Sequence, residues 1–531
     1  MKNGKALLTI IWVALVIISY YFLLIPLNLQ SPSFWALIFY TLALGAGLFL
    51  LYQIFVERQL KITKSLPTYL IMATLLVAIL GGIMWVYSLP IFHAKAYANL
   101  VQKQEGNFAT DVAELPINRI PTVDRDTAVR LGDRKMGEII ELVSQFNVAP
   151  DYTQINYQGK PVRVSPLEYA GFFKWLNNTK EGLPSYMMVD MINGEVDLVT
   201  PEQSIKYSES ELFFENVRRY LRMNYPTVIF GDFSFEVDEQ GVPYWIVSVR
   251  ENKIGLFGGT DVKEVIILNA STGEHQKIKV SEVPTWVDRV FDAELVVDQV
   301  NYNGRFTNGF INSIFGQQGV LATTAGYNYL ALNDDVYLYT GITSVVRDES
   351  NIGFILVNMR TKETAFYSIS SAEEFSAMES AQGAVQEKRY ASTFPILLNI
   401  DEKPTYFMSL KDDAGLIKMY ALVDAQDYQK VVTGNTVEET VNKFTDRTAP
   451  ITETKPDEPR EEFEIQGKVT DIQSVVIGGN TYYYLLLEGQ KDVFRANITV
   501  SEKLPFLKIG DEIKGQYNKE YEGVNLIIRM Q

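Results

Sequence analysis

Three apolar runs occupy the first 92 residues of this 531-residue chain: Ala6–Leu27, Phe34–Val56 and Tyr69–Phe92. Each has the roughly 20 residues a helix needs to cross a hydrocarbon core of about 30 Å. None contains Asp, Glu, Lys or Arg. Lipid offers a backbone no hydrogen-bond partners, so such runs read as membrane-spanning helices. Residues 1–92 are therefore expected to form a three-helix anchor, with the lipid bilayer as its first partner.

Charge beside the spans sets their direction. Lys2 and Lys5 precede the first run, and Arg58, Lys61 and Lys64 outnumber Glu57 between the second and third. The loop Asn28–Ser33 carries no charge. Both basic segments fall on one side of a three-span arrangement, and the positive-inside bias assigns that side to the cytoplasm. The N-terminus is then cytoplasmic and the bulk of the chain, from His93 onward, extracytoplasmic. Ile25-Pro26-Leu27-Asn28 offers no small-residue cleavage site, so the first run is expected to persist as a helix. Trp35 and Trp85 stand where amphipathic rings favour the membrane interface. Gly45, Gly47, Gly81 and Gly82 would let helices pack closely, within one chain or between protomers.

Composition narrows what the exposed part does. Five basic residues and one acidic residue fall in residues 1–92, so a formal net charge of −16 leaves −20 for the remainder. Such a body repels phosphate backbones, and nucleic acid is an unfavoured partner. The chain has no cysteine. A body of this length can be held by its hydrophobic core alone, as in the disulfide-free exported domains common in Gram-positive bacteria.

Within the body, residues 93–184 read as a juxtamembrane connector and a first α+β segment. Leu115–Asp124 should be extended, because Pro116 and Pro121 push their predecessors out of the helical region. A short helix is expected from Asp133 to Phe146. One hairpin phrase then recurs at Ser185–Val196, Glu264–Glu274 and Gly353–Thr364, with a degenerate copy at Met419–Tyr428. Each copy is an apolar strand, an Asp or Asn, a short turn and a second strand. The Asx side chain closes the turn on its own backbone. Helices are expected at Glu209–Asn224 and Ala372–Arg389, so residues 185–447 read as a duplicated α+β unit.

These phrases carry a resemblance. Val189-Asp190 with Gly194-Glu195, and the strand Val242-Pro243-Tyr244-Trp245-Ile246-Val247, resemble the PepSY-type domain of exported bacterial proteins over residues 185–280, with an echo at 350–430. Ile254–Gly259, Val283–Val290 and Gly326–Asp335 resemble phrases of uncharacterised membrane proteins of Firmicutes and their mobile elements. The PepSY-type resemblance implies a binding or inhibitory role outside the cell, often toward peptidases, without catalytic residues.

Thr448–Glu462 places Pro450, Pro456 and Pro459 among acidic residues and reads as a solvated linker. Residues 463–531 then give five short strands and the phrase Leu507–Ile513, which resemble an OB-fold β-barrel. With eight basic and nine acidic residues this module lacks an electrostatic funnel. Tyr482, Tyr484 and Phe494 offer it stacking faces.

Catalytic patterns are sparse. His93 and His275 are the two histidines, and neither belongs to a cluster with zinc-ligand spacing. Gly255-Leu256-Phe257-Gly258-Gly259 lacks the Lys and helix start of a phosphate loop and reads as a strand connection. No metal or cofactor is expected. Trp175, Trp245 and Trp286 are the aromatic candidates for a binding groove. The sequence thus leads to a non-enzymatic envelope scaffold that assembles through hairpin edges into a homo-oligomer. A regulator docking a secreted peptidase or wall hydrolase, and a carboxylate-dependent hydrolase, are the alternatives.

Overall fold

A computed structural model describes residues 2–58, 65–332, 334–345, 347–445, 463–477, 480–497, 500–501, 503–519 and 524–530. The expected acidic linker at 448–462 lies outside the described residues. The chain divides into two compact units, Met1–Thr448 and Ala449–Gln531.

Three helices at the N-terminus are long and apolar enough to cross a membrane: α1 (Lys2–Leu23), α2 (Pro32–Phe55) and α3 (Leu66–Tyr87). Their side chains face outward almost everywhere, as lipid-facing helices require. The four glycines separate into two kinds. A Cβ at Gly45 would lie 2.8 Å from the Trp12 ring, and one at Gly81 would meet Trp35 at 3.4 Å. Gly47 and Gly82 have open space beside them. Trp12 also donates its indole N–H to the Thr41 carbonyl of α2. A short helix, α4 (Pro90–Ala98), follows the third span.

The soluble part of this unit is mixed α+β and repeats one plan four times. Each repeat is a helix followed by a four-stranded antiparallel meander. In the first, helix Arg125–Gly137 leads to strands Thr153–Tyr157, Lys160–Tyr169, Tyr186–Asp190 and Val196–Val199. In the second, Val217–Asn224 leads to Ile229–Val237, Pro243–Ile254, Gly258–Asn269 and His275–Lys279. The third runs from Ala293–Phe306 through Asn328–Leu332, Asp335–Ser344, Arg347–Asn358 and Thr364–Tyr367. The fourth runs from Glu374–Gly383 through Ile396–Ile400, Lys403–Lys411, Ile417–Asp424 and Val431–Gly434.

The recurring hairpin phrases all connect the third and fourth strands, and hydrogen bonding proves them equivalent. Asp190, Asn269, Asn358 and Asp424 each accept two backbone N–H groups of their own turn. The residue after each is buried: Met191, Ala270, Met359 and Ala425. Its N–H donates to the carbonyl of the second strand, at Pro161, Pro243, Val336 or Pro404. Its carbonyl accepts from the segment entering the repeat's helix, at Thr122 and Val123, Lys206 and Tyr207, Val290 and Phe291, or Ala372. One residue thus ties helix entry to sheet in every copy.

The repeats pack in series and close. Alternating side chains of Pro243–Ile254 send Trp245 and Val247 into a core shared by the first two sheets, and Ile246 into one shared by the second and third. A third core lies between sheets three and four. The fourth repeat then returns to the first. Lys411 pairs with Asp124 at 2.6 Å, Ser409 donates to the Thr122 carbonyl, and Arg130 donates to the Ala414 carbonyl.

Helix boundaries differ from expectation where caps decide them. Asp124 accepts from the Thr127 N–H, so the helix expected at Asp133–Phe146 runs from Arg125 to Gly137. Asn216 accepts from Arg219, so the helix expected at Glu209–Asn224 starts at Val217. Leu212, Phe213 and Phe214 are left in an exposed turn.

The second unit is a closed five-stranded barrel. Phe463–Ile477 pairs with Asn480–Leu487 and Glu512–Lys519, and Val493–Asn497 runs parallel to Val524–Met530. This strand order is OB-like. Its core includes Ile465, Leu485, Phe494, Leu504 and Ile527.

Overpacking a tight helix contact costs about 1–3 kcal/mol. Gly45→Leu is accordingly expected to lower the thermal midpoint of the detergent-solubilised chain, while Gly47→Leu leaves it unchanged. Asn358→Ala removes the acceptor of two buried-side N–H groups and a donor to Asp335. It should cost about 2–3 kcal/mol in denaturant unfolding.

Candidate functional site

Sheets one, two and three meet around a cluster of buried charge. Glu236 stands on strand Ile229–Val237 between Phe235 and Val237, whose side chains enter the opposite core. It is fully buried. Its two carboxylate oxygens accept the N–H groups of Asp288, at 2.8 Å, and Arg289, at 3.0 Å. Asp288 is itself 1% exposed and accepts the Asn156 N–H at 2.6 Å. Asn156 reaches on to Asp334, and the Arg289 guanidinium donates to the Tyr329 hydroxyl while lying over its ring. Arg163, buried beside Gln154 on the first sheet, completes the cluster.

Burial raises Glu236 to about 7, against the lowering effect of its backbone donors. Burial and the neighbouring Glu236 hold Asp288 well above the carboxylate range. Neither carboxylate faces solvent. What this geometry supports chemically is clamping: Glu236 holds the backbone of the segment before the third helix to the second sheet, and Asp288 ties the same segment to the first.

A second cluster holds the connector. Lys362 donates to Asp261 at 2.6 Å, to Gln299 and to the Leu100 carbonyl, and Asp261 also pairs with Lys253. Burial pushes Asp261 up, yet its hydrogen bonds to the two lysines outweigh that and hold it below its ordinary value.

The aromatic candidates are dispersed. Trp245 is 5% exposed and donates its N–H to the Tyr207 carbonyl in the core, which leaves no ring face for a groove. Trp286 packs on Tyr244. Trp175 is partly exposed and bonds Glu211, which also takes the Tyr169 hydroxyl. In the barrel, Phe494 is 1% exposed and serves the core, because its strand position faces inward. Tyr482 and Tyr484 lie on the opposite face from Tyr483, registered with Asn497 and Arg495. Arg495 lies 5.4 Å from the Tyr482 ring centre. These two tyrosines and Arg495 form the barrel's aromatic ledge.

The anchor meets the body beside the second sheet. Gln30 and Asn252 exchange three hydrogen bonds, and Ser88 at the end of α3 accepts from Leu256 and Phe257. The glycine-rich loop Gly255–Gly259 is the turn of this hairpin. Gly255 takes φ +59°, and a Cβ at Gly258 would lie 2.7 Å from the Ser88 carbonyl.

Sequence reasoning missed the buried cluster. Asp288-Arg289 sat inside a phrase singled out only for its resemblance, and Glu236 was visible as an acid in an otherwise apolar alternating strand. Among known proteins, no family model and no curated protein matches the chain.

The sign of the pH dependence follows from these groups. Glu236 and Asp288 have raised folded-state values, so their stabilisation is full in acid and is lost as pH rises, for Glu236 through about 7. Asp261 and Asp124 are lowered, so theirs is lost at the acid end, as pH falls below about 4. Asp288→Asn keeps an oxygen acceptor and removes one ionisation. Thermal midpoints recorded from pH 5 to 8 should therefore fall less steeply in the variant than in the parent chain.

Proposed function

We infer that this chain is a membrane-anchored, non-enzymatic binding and scaffold protein of a bacterial envelope, its body outside the membrane. The observation that carries this reading is the seat of the body. Lys5 pairs with Glu57 at one end of the spans, while the loop after α1 and the end of α3 bond to the second sheet at the other. With basic residues retained in the cytoplasm, that seat supports a body on the outer side of the membrane.

The fourfold helix-and-meander supports the PepSY-type resemblance as a tandem array, with a role in protein binding. The fourth strands of the second and fourth repeats, His275–Lys279 and Val431–Gly434, are edges available for pairing with another protomer. A second reading rests on the same resemblance: the array docks and restrains a secreted peptidase or wall hydrolase. The barrel's tyrosine ledge is the surface we assign to a protein partner, given its balanced charge.

The absence of cysteine makes the test direct. A membrane-impermeant maleimide should label Glu274→Cys, at an exposed turn, in intact cells, and Arg58→Cys after lysis alone. The reverse pattern overturns the placement. Native mass spectrometry from mild detergent should give a homo-oligomer. A monomer that carries a co-purified hydrolase would favour the second reading.

A further inference from the structure

The body carries an exposed aromatic tip beside the C-terminal end of α1, and we propose that it inserts into the bilayer leaflet from which α1 emerges. The proposal rests on reading the three helices as membrane spans.

The tip is built by helix Phe172–Asn178 and the turn at 211–215. Phe172, Phe173, Leu176, Phe213 and Phe214 are all more than half exposed, with Phe173 at 75% and Phe214 at 72%. Their rings are continuous. Phe213 lies 5.6 Å from Trp175, Trp175 5.7 Å from Phe172, and Phe172 5.5 Å from Phe173. A soluble body gains nothing from presenting such a cluster to water, and contiguous apolar patches mark contact surfaces.

Continuity with the anchor identifies what covers it. Arg219 lies over the ring of Tyr21, near the C-terminal end of α1, at 4.7 Å. The same guanidinium holds the Leu212 and Phe213 carbonyls. Arg222 bonds the Leu24 carbonyl, and the Leu27 N–H bonds Pro226. One cation therefore separates the aromatic turn from the end of a membrane span. At that depth aromatic rings are favoured and basic side chains reach headgroups. Trp175 meets the same demand, with its N–H satisfied by Glu211.

A second tip flanks the exit of α3. Phe310 stacks on Phe306 in the cluster that holds Tyr97 and Ala98 of α4, and beyond it Ile311 and Phe315 are 73% and 82% exposed. Two apolar tips beside two span ends would lay the body on the membrane surface instead of holding it off.

The full chain, reconstituted in phosphatidylcholine–phosphatidylglycerol vesicles, can carry one nitroxide at a time. Labels would replace Phe173, Phe214 and Phe315 as cysteine variants. Leu76→Cys, within α3, marks the bilayer interior, and Glu239→Cys, on an exposed turn, marks water. The ratio of oxygen to nickel-chelate collision rates should be several-fold higher at 173, 214 and 315 than at 239, and highest at 76. A water-like ratio at 173 and 214 with a deep value at 76 overturns the insertion alone. A water-like value at 76 overturns the span reading beneath it. Dipolar broadening at 173 or 214 that disappears on dilution with unlabelled protein would assign the tip to a second copy and also overturn the proposal.

Discussion

One buried residue in each repeat governs how the soluble body is built. At Met191, Ala270, Met359 and Ala425 the N–H is taken by the second strand and the carbonyl by the incoming helix segment. A buried backbone group without a partner costs free energy comparable to a lost hydrogen bond. Each repeat therefore satisfies that group in the same way, and the sheet, the turn and the direction of the helix follow together. The Asx residue before it bends the chain so that both partners come within reach.

The charged cluster shows the same requirement at the level of sheets. Glu236 and Asp288 sit where three layers converge, and backbone donors from two other segments approach them. Breaking one contact would leave a carboxylate stranded in a medium of low dielectric, which is strongly unfavourable. Such groups confer little net stability by burial alone. They do make the alternative packings worse, and this favours one registration of the layers over others.

Several elements were legible in the sequence. The spans follow from length and absence of charge, the four hairpins from Asx turns, and the barrel from five alternating strands. The fourfold plan was half legible, because Pro161, Pro243 and Pro404 mark equivalent strand starts but Val336 does not. The helix at 217–224 was overextended, since Leu212 and Phe213 share the apolar spacing of Val217 and Leu221. Asn216 breaks the helix through a local cap, and Glu211 is diverted to Trp175 and Tyr169, contacts that periodicity does not register. Buried charge was the least legible feature. Glu236 looks like a surface acid until the opposite face of its strand is covered by a third sheet.

Closure of the array through Lys411 and Asp124 has an evolutionary corollary. An open stack grows or shrinks by one unit at its ends, and families built that way drift in length. A stack whose last member rests on its first has no end at which to grow. Gain or loss of a single unit would leave two surfaces mismatched at once, so this architecture should be held at its present number while its loops diverge.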